Sequence, residues 1–262
     1  MGKEQWIFLS LGVIMVIVLY MGLDTRPPEA YEYEESRVFQ MQTTSPSNLI
    51  REKLPELAQE NQLRIRSIDA AIRDSETKMD SVARLKELSG AWYEVKEPVL
   101  AGYYAERVAD LEGTSEAWSM AGTTYALALH NKNMASKERT FAADQARSAF
   151  ENAITLEPQN IDHRINLALT YVQAPLEGQP MKGIQMLLEL NRKHPDNASV
   201  IYQLGRLAIQ TGQYERAVER LERVLQLTPN RKNAHCLLAE AYTALKRMKK
   251  AQSSQKACKT NN

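Results

Sequence analysis

Apolar residues recur at steps of three and four along most of the chain from residue 49 onward. Ile65, Ile68 and Ile72 show this spacing in the first half, and Leu221 and Val224 show it in the second. Such spacing places the apolar side chains on one face of an α-helix and leaves the opposite face polar. The pattern therefore predicts an all-α protein built from consecutive amphipathic helices.

The second half of the chain repeats with a period of about 34 residues. Residues 198–231 give the most regular copy, and further copies cover residues 115–160, 161–197 and 232–262. Small residues mark where two antiparallel helices approach closely, and large apolar residues fill the space between successive helix pairs. The residues expected to pack the repeats are Trp118, Gly122, Tyr125, Ala146, Phe150, Pro158, Ala168, Tyr171, Gly183, Leu204, Gly205, Ala217, Leu221, Pro229, Ala239, Tyr242 and Ala251.

This arrangement resembles the tetratricopeptide repeat. The matching residues of the most regular copy are Leu204, Gly205, Ala217, Leu221 and Pro229. The copy departs from the family pattern at Ala208, where a tyrosine is usual. The resemblance implies a right-handed α-solenoid of antiparallel helix pairs, the tetratricopeptide superhelix. It also implies a scaffold for protein–protein interaction without catalytic activity.

Residues 49–113 form a helical region in front of these copies. Residues 89–112 match the repeat only weakly, so they are interpreted as a degenerate repeat or as an ordinary hairpin that caps the solenoid. The apolar spacing within residues 49–88 has two interpretations as well. We expect a helical hairpin stacked on the solenoid, and the alternative is a coiled coil between chains with Asn61 in its core.

The N-terminal part of the chain predicts a membrane anchor. Residues 6–23 contain no charged side chain and would span roughly 27 Å as a helix, which suffices for a bilayer core. A cleaved signal peptide is the alternative, but no Ala-x-Ala site follows the apolar run. Residues 1–5 form a short flank, and residues 24–48 read as an acidic, flexible tether.

The segments 180–184 and 210–214 are similar to bacterial membrane-anchored tetratricopeptide proteins with a single span. By analogy with such proteins, we expect a location in the inner (cytoplasmic) membrane with the repeat domain in the periplasm. The lipid bilayer would then contact residues 6–23.

The first helices of stacked pairs are expected to form a concave surface that binds a protein or an extended peptide. The candidate residues on this surface are Asp162, Ile165, Asn166, Leu169, Tyr202, Arg206, Gln210, Asn233 and Glu240. They combine apolar area with hydrogen-bonding groups, as a peptide-binding groove requires. The set of Lys and Asn residues with which chaperone-binding relatives hold a peptide carboxylate is not assembled at the matching positions, so we expect no binding of a chaperone tail.

The composition excludes several classes of function. With 33 basic and 32 acidic residues the net charge is +1, so no general nucleic-acid binding is expected. The four histidines are scattered, and no metal-binding, phosphate-binding or nucleophile motif occurs, so we expect no cofactor, no metal and no enzymatic activity. Cys236 and Cys258 are expected as reduced thiols, with a disulfide as the alternative in an oxidising compartment.

The last copy is unusually basic. Lysines and arginines accumulate after Glu240, and no acidic residue follows. A polar final helix would cap the solenoid against water. The alternative is a basic patch that binds an acidic partner.

Three functional hypotheses follow. The first is a membrane-anchored scaffold or adaptor in envelope complex assembly, which would raise the effective concentration of its partners. The second is an assembly factor that binds an apoprotein, similar to anchored repeat proteins of cytochrome c maturation. The third is a structural subunit of a membrane complex that oligomerises through residues 49–88.

Overall fold

The structure is a computed structural model that describes residues 44–260 of the chain. The predicted flank at residues 1–5, the predicted membrane helix at residues 6–23 and most of the tether at residues 24–48 lie outside the described residues. Within the described part, no helix is both long and apolar enough to cross a membrane.

Residues 44–260 fold into a succession of α-helices. The helices are α1 (Pro46–Lys53), α2 (Gln59–Arg73), α3 (Lys78–Glu94), α4 (Pro98–Glu112), α5 (Ser115–Ala128), α6 (Ser136–Leu156), α7 (Ile161–Gln173), α8 (Lys182–Lys193), α9 (Ala198–Gln210), α10 (Tyr214–Leu227), α11 (Lys232–Ala244) and α12 (Met248–Thr260), with a short 3₁₀ helix at Leu54–Glu56. This succession confirms the all-α prediction.

Residues that favour the beginning of a helix precede or open several of these helices. Thr114, Asn160 and Asn197 each precede a first helix of a pair, and their side chains accept hydrogen bonds from the exposed backbone N–H groups of its first turn. Pro98 begins α4, where its missing N–H costs nothing.

One turn conformation recurs between the two helices of three pairs. Lys96, Gly212 and Lys246 all have positive φ, between 57° and 72°. The next residue then donates its N–H to a carbonyl in the preceding helix, at 3.0, 2.8 and 2.8 Å respectively. The pair α3–α4 therefore uses the same turn as the regular pair α9–α10. This likeness supports its interpretation as a degenerate repeat, although lysine replaces the favourable glycine.

The helices pack in chain order around continuous apolar clusters. The first cluster extends from Leu49 in α1 to Tyr171 in α7, and another joins α9 to α12. Ile65 and Ile68 of α2 are buried in the first cluster together with Leu85 of α3. This burial within one chain agrees with the hairpin interpretation of residues 49–88 and leaves those apolar residues unavailable to a coiled-coil partner.

Most residues expected to pack the repeats lie inside the solenoid. Tyr125, Phe150, Ala146, Ala168, Ala217 and Leu221 are fully buried. Trp118 and Ala239 are half-buried. Pro158 and Pro229 are exposed in the turns that follow α6 and α10, where they stop the helices.

Glycine allows a large side chain of a neighbouring helix to reach the backbone at successive interfaces. A Cβ at Gly102 would lie 2.6 Å from the ring of Tyr125, and one at Gly122 would lie 2.9 Å from the ring of Phe150. At Gly205, a Cβ would lie 3.0 Å from Cγ of Leu221. These contacts fix how closely α4, α5 and α6 approach one another, and likewise α9 and α10.

The expectation of two reduced thiols is wrong. Cys236 on α11 and Cys258 on α12 form a disulfide, with their Cα atoms 4.9 Å apart. The two residues lie on facing sides of one antiparallel pair, which brings them within the range that a disulfide requires. Spacing along the chain alone could not show this orientation.

The contact between α4 and α5 includes a buried polar pair. The Tyr125 hydroxyl donates to Oε2 of Glu106 at 2.7 Å. Burial raises the pKa of the Glu106 carboxyl above its usual 4.5, and the hydrogen bond from Tyr125 offsets part of this rise. The folded state therefore binds more protons than the unfolded state between the usual and the raised pKa. The stabilising contribution of protonated Glu106 is complete below about pH 4 and is lost as the pH rises through the raised pKa.

We expect Glu106→Gln to raise the free energy of unfolding at pH 7, because glutamine keeps an acceptor for Tyr125 without a half-buried charge. The advantage should vanish near pH 4, where the wild-type carboxyl is protonated. Urea denaturation at both pH values would measure the difference. A loss of stability at pH 7 would show instead that the charged carboxylate strengthens the hydrogen bond by more than its burial costs.

Candidate functional site

An apolar groove of about 560 Å³ lies between the first helices of two successive pairs, α3 and α5. The second helix α4 forms its floor. The lining residues are Lys86, Ser89, Gly90 and Tyr93 of α3, Ala105, Val108 and Glu112 of α4, and Glu116, Ala117, Met120, Thr123, Thr124 and Leu127 of α5. This volume is in the range of sites that bind small ligands or peptide side chains.

Large apolar side chains stand exposed along this groove. Tyr93 is 54% exposed, Met120 is 64% exposed and Leu127 is 42% exposed. Scattered exposed apolar residues are ordinary on a protein surface, but three around one concave groove make this groove the candidate interaction site. Methionine adapts its shape to a partner, and tyrosine contributes a large rigid contact area.

Gly90 lies in the wall of the groove and differs from the packing glycines. A Cβ at this position would meet no atom within 4 Å outside its own helix turn. Gly90 lies inside α3 and does not have positive φ, so neither packing nor backbone geometry requires glycine there. A glycine inside a helix costs about 0.5–1 kcal/mol relative to alanine. The residue therefore lowers stability while it keeps the groove open.

Two glycine substitutions should have opposite effects. A Cβ at Gly183 would lie 2.7 Å from the backbone nitrogen of Val172 and closer still to the carbonyl oxygen of Ala168. We expect Gly183→Ala to lower the free energy of unfolding by about 1–3 kcal/mol, since backbone atoms must move apart. Gly90→Ala should raise it by about 0.5–1 kcal/mol. Urea denaturation of the two variants measures both changes in the free energy of unfolding. Changes of the same sign would contradict the distinction between a packing glycine, Gly183, and an unpacked glycine, Gly90.

The surface predicted from the sequence lies elsewhere, on α7, α9 and α11, and none of its residues lines this groove. Asp162, Gln210, Asn233 and Glu240 are exposed. Asn166, Leu169, Tyr202 and Arg206 are half-buried. The guanidinium carbon of Arg231 lies 4.3 Å from the centre of the Tyr202 ring, so that ring is partly covered by the protein itself.

The prediction for Ile165 is wrong. Its side chain is only 3% exposed, and it belongs to an apolar cluster with Leu187 and Val200. The helix turns this residue toward the next pair instead of toward solvent. A partner on the predicted surface could not contact it.

The candidate residues taken from the sequence do not include the groove between α3 and α5, because it lies in residues 89–112, which match the repeat only weakly, and in the pair that follows them. One sequence feature could have revealed this groove. Helix α5 carries a second apolar set, Met120 and Leu127, which lies about 100° around the helix from its buried residues Ala121 and Ala128. An apolar set that the core does not use is a feature of interaction helices.

Elsewhere in residues 44–260, no group of three or more His, Cys, Asp or Glu side chains is placed to hold a metal ion. In the basic final helix α12, Ala251 is the one buried residue among those whose burial is described. Lys250 there lies 3.7 Å from the Glu222 carboxylate and 5.2 Å from the centre of the Tyr242 ring. The polar composition of α12 agrees with the expected cap.

Part of the second half of this chain matches a family of repeat proteins. Residues 176–235 and 212–253 match the family model described as Tetratricopeptide repeat. A comparison with curated proteins gives no match. Among solved structures, similar chains include MamA at 14% identity, covering 69% of this chain and 91% of that one with a TM-score of 0.42. YrrB, titled a TPR protein with an unusual peptide-binding site, matches at 16% identity, covering 76% of this chain and 93% of that one with a TM-score of 0.39.

Proposed function

We propose that this chain, whose residues 176–235 and 212–253 match the tetratricopeptide-repeat family, acts as a membrane-anchored adaptor that binds a protein partner and holds it at the membrane. Stacked repeats of this family form scaffolds for protein–protein interaction, and the match to this family supports the same role for this chain. The adaptor would bring its partner and other membrane components to one surface and so raise their effective concentration, as envelope complex assembly requires.

The groove between α3 and α5 is the observation that carries the binding role. Its floor is apolar, and Tyr93, Met120 and Leu127 around it are exposed to solvent. Burying these side chains against a partner would contribute about 25 cal/mol for each Å² removed from water. A partner segment in this groove therefore gains affinity from contacts that the folded chain itself does not use.

Two features support the membrane and compartment part of the proposal. The apolar, uncharged run at residues 6–23 is long enough for a bilayer span. The disulfide between Cys236 and Cys258 favours an oxidising compartment, because cytosolic thiols are kept reduced. Together they favour an inner-membrane anchor with the repeats on the periplasmic side.

Photo-cross-linking in intact cells tests the binding role. We expect a photoreactive amino acid at Leu127, in the groove, to give an adduct with another protein. The same amino acid at Leu188 is the matched control, because Leu188 is 46% exposed but does not line the groove. Adducts from Leu188 and none from Leu127 would refute the groove as the binding site.

Protease treatment of cells stripped of their outer barrier tests the location. We expect the repeat domain to be cleaved while a cytoplasmic protein in the same cells stays intact. Protection of the repeats until lysis would place them in the cytoplasm and would overturn the periplasmic part of the proposal.

A further inference from the structure

Three hydroxyl groups in the groove wall, those of Ser89, Thr123 and Thr124, already donate hydrogen bonds within the chain. The hydroxyls of Thr123 and Thr124 donate to the carbonyl oxygens of Ser119 and Met120 in their own helix, each at 2.8 Å. The Ser89 hydroxyl donates across to the carbonyl oxygen of Ala101, also at 2.8 Å. These three hydroxyl protons are therefore not available to a partner. The exposed Tyr93, Met120 and Leu127 side chains give the groove the apolar area that fits an apolar partner surface.

The charged residues of the groove leave one carboxylate without a cationic partner. Lys86 and Glu112 form an ion pair at 2.5 Å across the α3–α4 contact. Glu116 is exposed at the start of α5, and the Ser115 hydroxyl donates to its Oε2 at 3.2 Å. Within residues 44–260, Glu116 forms no ion pair. Of the three charges on the groove, the unbalanced one is therefore negative, which favours a cation on the partner.

The open space above Gly90 adds a shape requirement. The helix backbone carries no side chain at this point, and two other lining residues, Ala105 of the floor and Ala117 of the α5 wall, are small. Tyr93 and Met120 flank the space with longer side chains. Such an arrangement is a socket for one bulky side chain that enters between them.

We propose that the groove recognises a partner segment that carries a large apolar side chain, seated over Gly90, and a lysine or arginine that pairs with Glu116. This inference rests on the proposed adaptor function and specifies the chemistry of its partner. The chain's own tether is a poor occupant, because Glu29, Glu32, Glu34 and Glu35 give it the same charge as Glu116. The occupant is therefore a separate basic and apolar segment.

The test uses the full chain in lipid nanodiscs and a phage library of random twelve-residue peptides as the probe. We expect the enriched peptides to combine Leu, Ile, Phe, Trp or Met with Lys or Arg. A synthetic copy of the most enriched peptide, labelled with a fluorophore, then measures affinity for defined variants. Thermal unfolding of each variant verifies that it is folded.

Gly90→Leu should weaken binding of this peptide about tenfold or more, because leucine fills the socket. Ala83→Leu is the matched control: it lies exposed on the same helix and outside the groove, and it should leave affinity unchanged. Glu116→Gln should weaken binding about two- to fivefold, as loss of an exposed ion pair does. Glu215→Gln, an exposed carboxylate on α10, should have no effect, and Glu116→Lys should shift the selection toward acidic peptides.

The outcomes separate this inference from the adaptor proposal. Enriched peptides that are acidic, or that bind the Gly90→Leu variant with the affinity of the wild type, would overturn the proposed partner chemistry. In that case, cross-links from Leu127 would still support the adaptor function. Cross-links from Leu127 to a second copy of the chain, or to its own residues 24–43, would overturn the conclusion that the groove binds a separate partner. Absence of both enrichment and groove cross-links would overturn both proposals.

Discussion

Replacing Phe150 by alanine is expected to lower the free energy of unfolding by about 3–5 kcal/mol. Phe150 of α6 is fully buried, and its ring lies directly against the backbone of Gly122 in α5. Alanine would leave a cavity at this contact, because the glycine opposite has no side chain that could move into it. Urea denaturation followed by tryptophan fluorescence measures the loss, since Trp92 belongs to the same apolar cluster.

Leu188→Ala is the control for this prediction. Leu188 is also a large apolar residue in a helix, but it is 46% exposed, so its truncation should change stability by no more than about 0.5 kcal/mol. A loss below about 1 kcal/mol in Phe150→Ala would contradict the close packing of α5 and α6. It would also weaken the assignment of the groove, because that contact holds the α5 wall in place.

Reduction of the disulfide between Cys236 and Cys258 should destabilise the terminal pair α11–α12 by about 3 kcal/mol. The bond joins residues 22 apart and so removes conformational freedom from the unfolded pair. Helix α12 depends on this link because Ala251 is its one buried side chain among the residues described. In a repeat array each pair contacts only its neighbours, so the effect should stay at this end.

Hydrogen exchange with and without dithiothreitol measures this effect. Amides of residues 248–260 should lose protection on reduction, while amides of residues 115–156 should not. A variant with both Cys236→Ser and Cys258→Ser is the control, because reductant should leave its exchange unchanged. Equal protection of residues 248–260 in the oxidised and reduced wild-type chain would show that apolar contacts alone hold the cap.

The groove lies in the part of the solenoid that deviates from the repeat pattern. Regular copies conserve the spacing that buries their side chains against neighbouring pairs, as Ile165 shows on α7. The degenerate pair α3–α4 is under no such constraint at Gly90 or Tyr93, so these residues are free to serve a partner. We therefore expect irregular positions such as Gly90 and Tyr93 to be available to a partner, because the packing between helix pairs does not use them.

The sequence by itself determined the helical class, the order of the helix pairs and most of the core. Apolar spacing reports which face of a helix is buried, and this local property places Tyr125, Phe150 and Leu221 inside without further information. The inner glycines Gly122 and Gly205 were predictable as well, because close helix approach demands a small residue at a fixed repeat position.

Only the tertiary structure decided which exposed residues share a surface and which neighbouring helix a given residue contacts. Tyr93 and Leu127 are 34 positions apart and meet around one groove because α4 holds α3 and α5 in register. The same cause joins Cys236 to Cys258 and buries Ile165. Periodicity fixes the rotation of a side chain about its own helix, but the distance between two helices depends on the packing of every side chain between them.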